Sequence, residues 1–494
     1  MNLKLSFVFT VFFVCVSMAQ NGNPNDYLSA QFHKERRAAL RTKLPQNSVV
    51  LFFSNPIRNR ANDVDFIFHQ DPDFYYLTGY KEPNAVLVVF SNNQQTKDGK
   101  SYNELLYVQE KNPRAEQWTG VRLGTEGAKK ELGFENVFNG SAFLNSGIDY
   151  ASFDTVFFKE FEEDTRNLKN EKADLYKLIG AFKSQIGYNE KVKSQMDSNM
   201  QKEVNAKKSI TSKKATINTK SILTYMASLR EKKTKEELVL LTKAVRISAI
   251  GQREIMKAMH PGMSETEIQG IHEFVYKKYG SEFEGYPSIV GAGNNGCVLH
   301  YIENSKMKVE NELVLMDLGA EYHGYTADVT RTIPANGKFS MEQKLIYDLV
   351  YEAQEAGIAA AKIGNNFNAP DAVARKIISV GLVKLGIVKN ENESRKYFPH
   401  GTSHHIGLDV HDSGLYNAFE ADMVVTVEPG IYIPIGSDCD KKWWGIAVRI
   451  EDDILISANG PVNLSAEAPR KSDAIEQLMQ EKSVLDGFTL PSLD

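Results

Sequence analysis

The sequence predicts an α/β protein with two parts, a smaller N-terminal α/β domain and a larger C-terminal domain built as a duplicated half-domain. Three observations support this prediction. Short apolar runs alternate with turn-rich stretches between residues 47 and 159. The composition then shifts to Lys, Asn, Ser and Glu up to residue 220. From residue 221 the order helix, helix, strands occurs twice, although the two halves share too little identity to form a sequence repeat.

The first element is a candidate export signal at residues 1–19. Lys4 precedes the apolar run LSFVFTVFFVCV, which is shorter than the roughly 20 residues of a membrane-spanning helix. Ser17 and Ala19 are small residues that suit cleavage before Gln20. A membrane anchor is the alternative. We expect an exported mature chain, periplasmic or secreted, with no membrane span.

An N-terminal α/β domain is predicted over residues 20–220. Four apolar runs indicate buried strands. They are SVVLFF (48–53), AVLVVF (85–90), ELLYV (104–108) and TVFFK (155–159). The basic stretch at the end of the domain, with lysine pairs at 207–208 and 213–214, is read as a solvated helix face and linker rather than a site for an anionic partner.

The C-terminal domain is predicted over residues 221–485. Thr234-x-x-Glu237 and Ser264-x-x-Glu267 are capping boxes that start two helices, ending near residues 259 and 280. Strands follow at 288–290, 298–301 and 313–319. Ser340-x-x-Gln343 starts the second set, with helices to about residue 361 and over 370–386 and strands at 424–428 and 446–456.

Composition excludes several classes of protein. The chain has 494 residues, a formal net charge of −5, 42% hydrophobic and 24% charged residues, as in ordinary globular proteins. A disulfide-stapled mini-protein is excluded by this length. The charge is spread along the chain and gives no electrostatic reason to bind nucleic acid. Cys297 and Cys439 would remain after export, and whether they pair is open.

Two acids stand on either side of a predicted turn. The segment from Asp317 to Asp328 is two strand-like runs around His323-Gly324. In a hairpin folded there the two aspartates lie almost opposite each other, and cross-strand Cβ atoms are about 5 Å apart. Carboxylates that close repel unless they share a proton or a cation. The alternative is that one of the two carboxylates faces solvent or caps a turn.

A histidine cluster and two further acids complete a candidate site. Four of the ten histidines, among them His404 and His405, lie between His400 and His411 among glycines. Glu428 and Glu451 sit in apolar strands, where a carboxylate needs a partner. A salt bridge to Arg449 or Arg331 is the alternative to a metal.

Together these residues are typical of a metal-dependent hydrolase. Asp317, Asp328, Glu428, Glu451 and His404 supply several oxygens and one nitrogen, a set that favours Mn, Co, Fe or Zn over a thiolate zinc site. Several carboxylates permit two ions to be bridged, and paired ions lower the pKa of a shared water. The spacing G-x-G-x-x-G at residues 291–296 is not followed by a helix, so we read it as a turn that brings His300 to the site.

The sequence resembles the aminopeptidase P and prolidase branch of the pita-bread metallopeptidases. Five ordered motifs carry the resemblance, over roughly residues 221–480. They are NGCVLHYIEN (295–304), MDLGAEYHGYTADVTRT (316–332), HGTSHHIGLDVHD (400–412), TVEPGIYI (426–433) and VRIEDD (448–453). The N-terminal string at residues 59–90 favours aminopeptidase P over prolidase. The resemblance implies a duplicated catalytic domain with a curved antiparallel sheet flanked by helices.

The resemblance also implies roles for individual residues. Asp317 would bind one metal, His404 and Glu428 the other, and Asp328 and Glu451 both, with Mn(II) as the expected ion. Glu428 would also carry a proton from the attacking water to the leaving nitrogen. The remaining positions match substrate-binding or supporting residues of the family: His300, His411, His400, Arg449 and Tyr432.

The implied activity is removal of the N-terminal residue from peptides with proline second. An Xaa-Pro bond has no N–H and a fixed φ, so an aminopeptidase that binds its substrate as a strand accommodates it poorly. The alternatives are a prolidase restricted to dipeptides and a non-catalytic binding protein of the same fold. Members of the branch commonly form dimers or tetramers, so a homo-oligomer is expected.

Overall fold

The computed structural model describes residues 25–188, 215–488 and 490. The candidate export signal and the lysine pairs at 207–208 and 213–214 lie outside these residues. Across the described ranges, no helix has the length and apolar character needed to cross a membrane. Cys297 and Cys439 are both free thiols.

A mixed six-stranded sheet organises the N-terminal part. Its order is β6-β5-β4-β1-β7-β8, with β1 antiparallel to β4 and parallel to β7. The elements are α1 (Ala30–Lys43), β1 (Ser48–Phe53), β2 (Asn59–Ala61), β3 (Val64–Asp65), α2 (Pro72–Thr78), β4 (Val86–Gln95), β5 (Ser101–Val108), α3 (Pro113–Thr119), α4 (Gly124–Leu132), β6 (Val137–Asn139), α5 (Gly140–Phe143), β7 (Thr155–Phe158), α6 (Leu175–Ile186) and β8 (Thr216–Asn218). The four predicted strands are all present.

The central strands are apolar without interruption because both faces of the sheet are covered. Val50 and Phe52 belong to a cluster with residues of α1 and α2. Val49 and Leu51, which point the other way, pack with Phe182 of α6 and its neighbours. A strand buried on two faces has no reason to alternate with polar residues.

The stretch 161–220 is not only a linker, which corrects the prediction. Its helix α6 buries Leu178 and Phe182 against the sheet, and β8 pairs in parallel with β7 as the sixth strand. The Lys, Asn, Ser and Glu content of the whole stretch does not reveal the helical spacing of these apolar residues. The pattern, rather than the lysine content, identifies the folded segments.

The C-terminal part has the predicted order of helix, helix and strands twice. Every named strand pair within it is antiparallel. The elements are α7 (Ser221–Arg230), α8 (Lys235–Ala258), α9 (Glu265–Lys278), β9 (Phe283–Glu284), β10 (Ile289–Ala292), β11 (Leu313–Asp317), β12 (Ala320–Tyr322), β13 (Tyr325–Thr326), β14 (Thr330–Pro334), α10 (Met341–Ala360), α11 (Ala369–Lys384), β15 (Val424–Val427), β16 (Gly430–Ile433), β17 (Ile446–Arg449), β18 (Asp452–Ser457), β19 (Gly460–Asn463) and α12 (Ser472–Leu478). The predicted α/β class, with antiparallel sheets flanked by helices, is confirmed.

Two strand predictions in this part need correction. Residues 298–301 form no strand, because the chain turns after a 3-10 helix at Gly293–Cys297 and leaves Val298 and His300 exposed. The run 446–456 is two strands, β17 and β18, which belong to different sheets. The break between them leaves Ile450 and Glu451 outside either strand.

One hydrophobic core crosses from the N-terminal to the C-terminal part. Phe74 and Tyr76 of α2 pack in the same cluster as Leu229 and Tyr325. The hydroxyl of Tyr76 donates to the carbonyl of Leu229 at 2.9 Å. The two parts are therefore joined by buried apolar surface rather than by a polar seam alone.

Helices α8 and α9 are in close contact at Gly251. A Cβ at this position would lie 2.3 Å from Cδ2 of His272, whose ring is fully buried. In α9, by contrast, a Cβ at Gly270 would meet nothing within 4 Å. The helix pair therefore needs glycine at the first position and not at the second.

We expect Gly251→Ala to lower the free energy of unfolding by roughly 1–3 kcal/mol, because overpacking outweighs the better helix propensity of alanine. Gly270→Ala is the matched control and should raise it by roughly 0.5–1 kcal/mol. Urea unfolding followed by circular dichroism measures both. Two changes of the same sign would contradict the packing argument.

Candidate active site

A cavity of about 650 Å³ opens in the C-terminal part, and both halves of this part contribute to its wall. Nine of the ten residues singled out from the sequence line it: His300, Asp317, Asp328, His400, His404, His411, Glu428, Arg449 and Glu451. The tenth, Tyr432, lies behind the wall, where its hydroxyl accepts a hydrogen bond from Arg449 Nη1 at 2.9 Å. The structure thus brings all ten into one region.

Asp317 and Asp328 meet across neighbouring strands. The register of β11 and β14 places Asp317 opposite Thr330, so Asp328, two residues earlier, lies diagonally across from Asp317. The hydroxyl of Tyr286 lies 2.6 Å from Asp317 Oδ1 and 2.7 Å from Asp328 Oδ1. A single phenol therefore links the two carboxylates.

Two local features allow this pairing. His323 and Gly324 both have positive φ, 52° and 90°, and form the predicted turn between β12 and β13. Gly319 has no room for a side chain, because a Cβ there would lie 2.0 Å from the carbonyl oxygen of Ala327 and 2.7 Å from the ring of Tyr286. The glycine lets the tyrosine reach the aspartates.

His404 faces the same carboxylates. Its Nδ1 donates to the carbonyl oxygen of His405 at 2.9 Å, which leaves Nε2 as the free acceptor. Nε2 lies 3.5 Å from Asp328 Oδ2 and 3.5 Å from Glu428 Oε1. The chain here runs beside β15, with the amide of Thr426 donating to the carbonyl of His404 at 3.0 Å.

Glu451 and Arg449 enter from the break between β17 and β18. Glu451 accepts a hydrogen bond from Thr330 Oγ1 at 2.5 Å. Arg449 donates through Nη2 to Asp317 Oδ2 at 2.6 Å, and its Nε lies 3.9 Å from Glu451 Oε2. The salt bridge to Arg449 that the sequence left open as an alternative to a metal is therefore present for Glu451. Arg449 also pairs with Asp317, so one guanidinium faces two of the acids.

The acids repel one another strongly. Burial, and then the charges of neighbouring carboxylates, raises the pKa of Asp328 and of Glu451 well above their ordinary values. Burial raises the pKa of Glu428 to about 6. Burial also acts on Asp317, but the Arg449 guanidinium beside it holds the pKa of that carboxyl below its ordinary value. One arginine does not neutralise four acids, so the site calls for further positive charge.

The donor set fits divalent metal ions. Asp328, His404 and Glu451 each present a ligand atom, and these atoms lie within 4.8 Å of one another. Asp317 and Glu428 border this group on two sides, through Tyr286 and His404. Carboxylate oxygens with one neutral imidazole are ligands that Mn, Fe, Co and Zn accept. The chain thus has a candidate centre for divalent metals.

Three histidines surround these acids. The His411 ring lies 4.1 Å from the His404 ring, centroid to centroid. Burial, and then the charges of His404 and His300, lowers the pKa of His411 to about 4. Burial and Arg449 lower the pKa of His400 to about 4, and its Nε2 lies 2.8 Å from the Tyr432 hydroxyl. His411 and His400 are therefore neutral near pH 7.

Sequence reasoning missed three polar residues that support the acids. Tyr286 contacts two of them, Thr330 contacts Glu451, and Asp453 accepts a hydrogen bond from the amide of Asp328 at 3.0 Å. Thr330 and Asp453 lay inside the quoted motifs, next to the acids. Tyr286 lay outside them, and only the pairing of β10 with β11, with Ile289 opposite Asp317, brings it near the site.

Family models match both parts of the chain. Residues 239–458 match metallopeptidase family M24, and residues 33–147 match the aminopeptidase P N-terminal domain. Together the two matches include the six-stranded sheet's first strands and the whole candidate site.

Individual relatives match along nearly the entire chain. The Xaa-Pro aminopeptidase of Escherichia coli is 33% identical over 92% of this chain and 98% of its own, and that of Haemophilus influenzae is 34% identical over 90% and 96%. Xaa-Pro aminopeptidase 3 of Rattus norvegicus is 31% identical over 92% and 85%.

Solved structures agree with the sequence matches. The E. coli aminopeptidase P structure with the inhibitor Pro-Leu has a TM-score of 0.77 at 32% identity, covering 92% of this chain and 98% of that one. Proline aminopeptidase P II of Yersinia pestis also has a TM-score of 0.77, at 31% identity, covering 92% and 99%. With its fold, its acid-rich cavity and its relatives in agreement, the chain belongs to the aminopeptidase P group of metallopeptidase family M24.

Proposed function

We propose that this protein is an Xaa-Pro aminopeptidase, a metalloexopeptidase that releases the N-terminal residue from peptides with proline at the second position. The observation that carries the proposal is the cavity wall, where four acids and His404 surround one space beside three further histidines. Relatives named for this activity match almost the full length of the chain.

Five residues would hold two divalent ions, as the resemblance implies: Asp317 on one, His404 and Glu428 on the other, and Asp328 and Glu451 on both. When bound, such ions lower the pKa of water and polarise a carbonyl group. We propose Mn(II) as the native ion, with Zn, Co and Fe as alternatives, because the donors are mostly carboxylate oxygens.

Glu428 is proposed to move the proton. A carboxylate that lines the cavity can take a proton from the attacking water and give it up again. Proline nitrogen is a poor leaving group until it is protonated, so the proton must reach it as the bond breaks. Glu428 Oε2 lies 3.7 Å from His400 Nδ1, on the cavity side of the imidazole.

The histidines and apolar side chains of the cavity are proposed to bind the substrate. His300 and His411 would contact the peptide and its tetrahedral intermediate, while His400, Tyr432 and Arg449 form a linked support behind the acids. Apolar side chains line the remaining wall and suit a proline ring, which has no N–H to satisfy. They are Pro287, Ile289, Leu299, Ile302 and Val410.

We further propose an organisation and a location. Residues 1–19 are an export signal, residues 20–220 an N-terminal domain and residues 221–485 the catalytic domain, in a periplasmic or secreted protein without a membrane or nucleic-acid partner. A homo-oligomer, dimer or tetramer, is supported by large apolar side chains exposed on the N-terminal part, such as Ile67, Trp118 and Val121.

The activity is tested with an Xaa-Pro dipeptide beside Xaa-Pro tri- to pentapeptides, using Mn(II)-loaded protein and an EDTA control. We expect cleavage of the longer peptides after their first residue and loss of activity with EDTA. Cleavage of the dipeptide alone would favour prolidase. No cleavage by metal-bound protein would favour a non-catalytic binding protein and contradict the proposal.

Asp328→Ala and Glu451→Ala should each lower kcat/KM at least about 10³-fold, on the scale of losing one member of a catalytic unit. Bound metal, measured by plasma mass spectrometry, should fall in parallel. Asp98→Ala is the control, because this carboxylate is 66% exposed and lies in the turn between β4 and β5, outside the cavity wall. Turnover retained in either site variant would show that the metals are not catalytic.

Tyr286→Phe should weaken metal binding about 10- to 100-fold, since it removes the hydroxyl that fixes Asp317 and Asp328. Titration of Mn(II) into metal-free protein measures the change. Tyr80→Phe removes a hydroxyl that donates to the carboxylate of Glu82 in the N-terminal part, and it should leave metal affinity unchanged. An equal effect in both variants would point to general destabilisation.

A further inference from the structure

Arg230, the last residue of α7, is enclosed by three carboxylates. Its Nη1 donates to Asp73 Oδ1 at 2.6 Å, and its Nη2 donates to Asp409 Oδ2 at 2.9 Å and to Asp412 Oδ1. The side chain is 2% exposed. The guanidinium therefore has fixed partners in two segments that are far apart in the sequence, one at Asp73 and the other at residues 409–412.

A second cation completes the fixation of Asp412. Lys233 Nζ donates to Asp412 Oδ2 at 2.6 Å and to the carbonyl of Arg230 at 2.6 Å. The amide of Asp412 donates to the carbonyl of His405 at 2.9 Å. A Cβ at Gly407 would lie 2.2 Å from Asp412 Oδ2, so the loop closes tightly around this carboxylate. Hydrogen bonds therefore hold both the backbone amide and the side chain of Asp412 in place.

His411 lies between the two anchored aspartates. Asp409 and Asp412 hold the segment on both sides of it, while the imidazole lines the cavity 4.1 Å from the ring of His404. No side-chain hydrogen bond of His411 itself appears among the described residues, so its position depends on this backbone. The anchors, rather than a partner on the ring, determine where the imidazole points.

The N-terminal part supplies the third anchor. Asp73 belongs to α2, and its other oxygen accepts from Lys159 Nζ at 2.6 Å. A buried ion network contributes little net stability when compared with apolar packing of the same volume. This network spans two parts of the chain and ends beside a residue of the cavity. A role in fixing the position of that residue therefore explains the network better than a contribution to stability does.

We propose that Arg230 is a positioning residue for His411, acting through Asp409 and Asp412 and braced by Asp73 of the N-terminal part. The inference rests on the proposed function, in which His411 contacts the substrate. Arginine is required because its planar fork reaches three carboxylates at once, whereas a lysine ammonium is a single point of charge. A misplacement of about 1 Å in an active site costs about 10²-fold in rate.

The test is a double-mutant cycle of Arg230→Lys and His411→Ala on an Xaa-Pro tripeptide. We expect Arg230→Lys alone to lower kcat/KM about 10- to 100-fold. The proportions in which kcat falls and KM rises should match those of His411→Ala, and the amount of bound metal should stay unchanged. In the His411→Ala background, Arg230→Lys should cause no further loss.

Arg37→Lys is the matched control. Arg37 is as deeply buried and binds Glu104 through Nε at 2.9 Å and Nη2 at 3.0 Å, but it belongs to α1 and touches no residue of the 407–412 loop in any described contact. It should lower the melting temperature and leave kcat and KM unchanged. If Arg230→Lys does not fold, Asp412→Asn, which keeps the side-chain shape, carries the same cycle.

Two outcomes would overturn the inference. Losses that multiply in the double variant would show that Arg230 acts independently of His411. A lower melting temperature with kcat and KM unchanged in Arg230→Lys, as expected for Arg37→Lys, would show a purely structural role. Both readings require an active wild-type protein. A wild-type protein without activity on Xaa-Pro peptides would instead overturn the proposed function and, with it, the inference built on it.

Discussion

Repulsion among carboxylates is the constraint on which the rest of the site depends. Asp317, Asp328, Glu428 and Glu451 share one cavity wall, which Arg449 also lines. Carboxylates gathered away from water must be protonated or neutralised by cations. Hydroxyl groups of Tyr286 and Thr330, which add no charge, help to hold these acids in place at or near the ends of strands. The arrangement costs stability without its cations, which is the expected condition of a metal centre before loading.

The two halves of the C-terminal part supply different components. The first half contributes Asp317 at the end of β11 and Asp328 two residues before β14, and the second contributes His404, Glu428 and Glu451 around β15, β17 and β18. Contact between the halves is made at the side chains themselves, as when Arg449 donates to Asp317 or Thr330 to Glu451. The cavity lies between the two halves, and these contacts couple one wall to the other.

Much of this organisation was predictable from local sequence. Capping boxes at Thr234 and Ser340 gave the starts of their helices, and both boxes are complete in the structure. The ten site residues occur in short motifs, so their proximity could be anticipated. Tyr286 and Arg230 could not, because their partners lie 31 to 182 residues away and depend on register and on packing between elements. Residues 298–301 have the composition of a strand, but no neighbouring strand pairs with them.

The core shared by the two parts of the chain determines what would happen if they were separated. One face of the N-terminal sheet, with Val50 and Phe52, belongs to the same cluster as Tyr325 and Leu408 next to the cavity loops. Separating the two parts would expose to water the apolar side chains that they share in this cluster, and an exposed apolar patch promotes aggregation. The two parts are therefore distinct in sequence but not independent in packing. An N-terminal part joined to a different catalytic domain would need a new apolar interface.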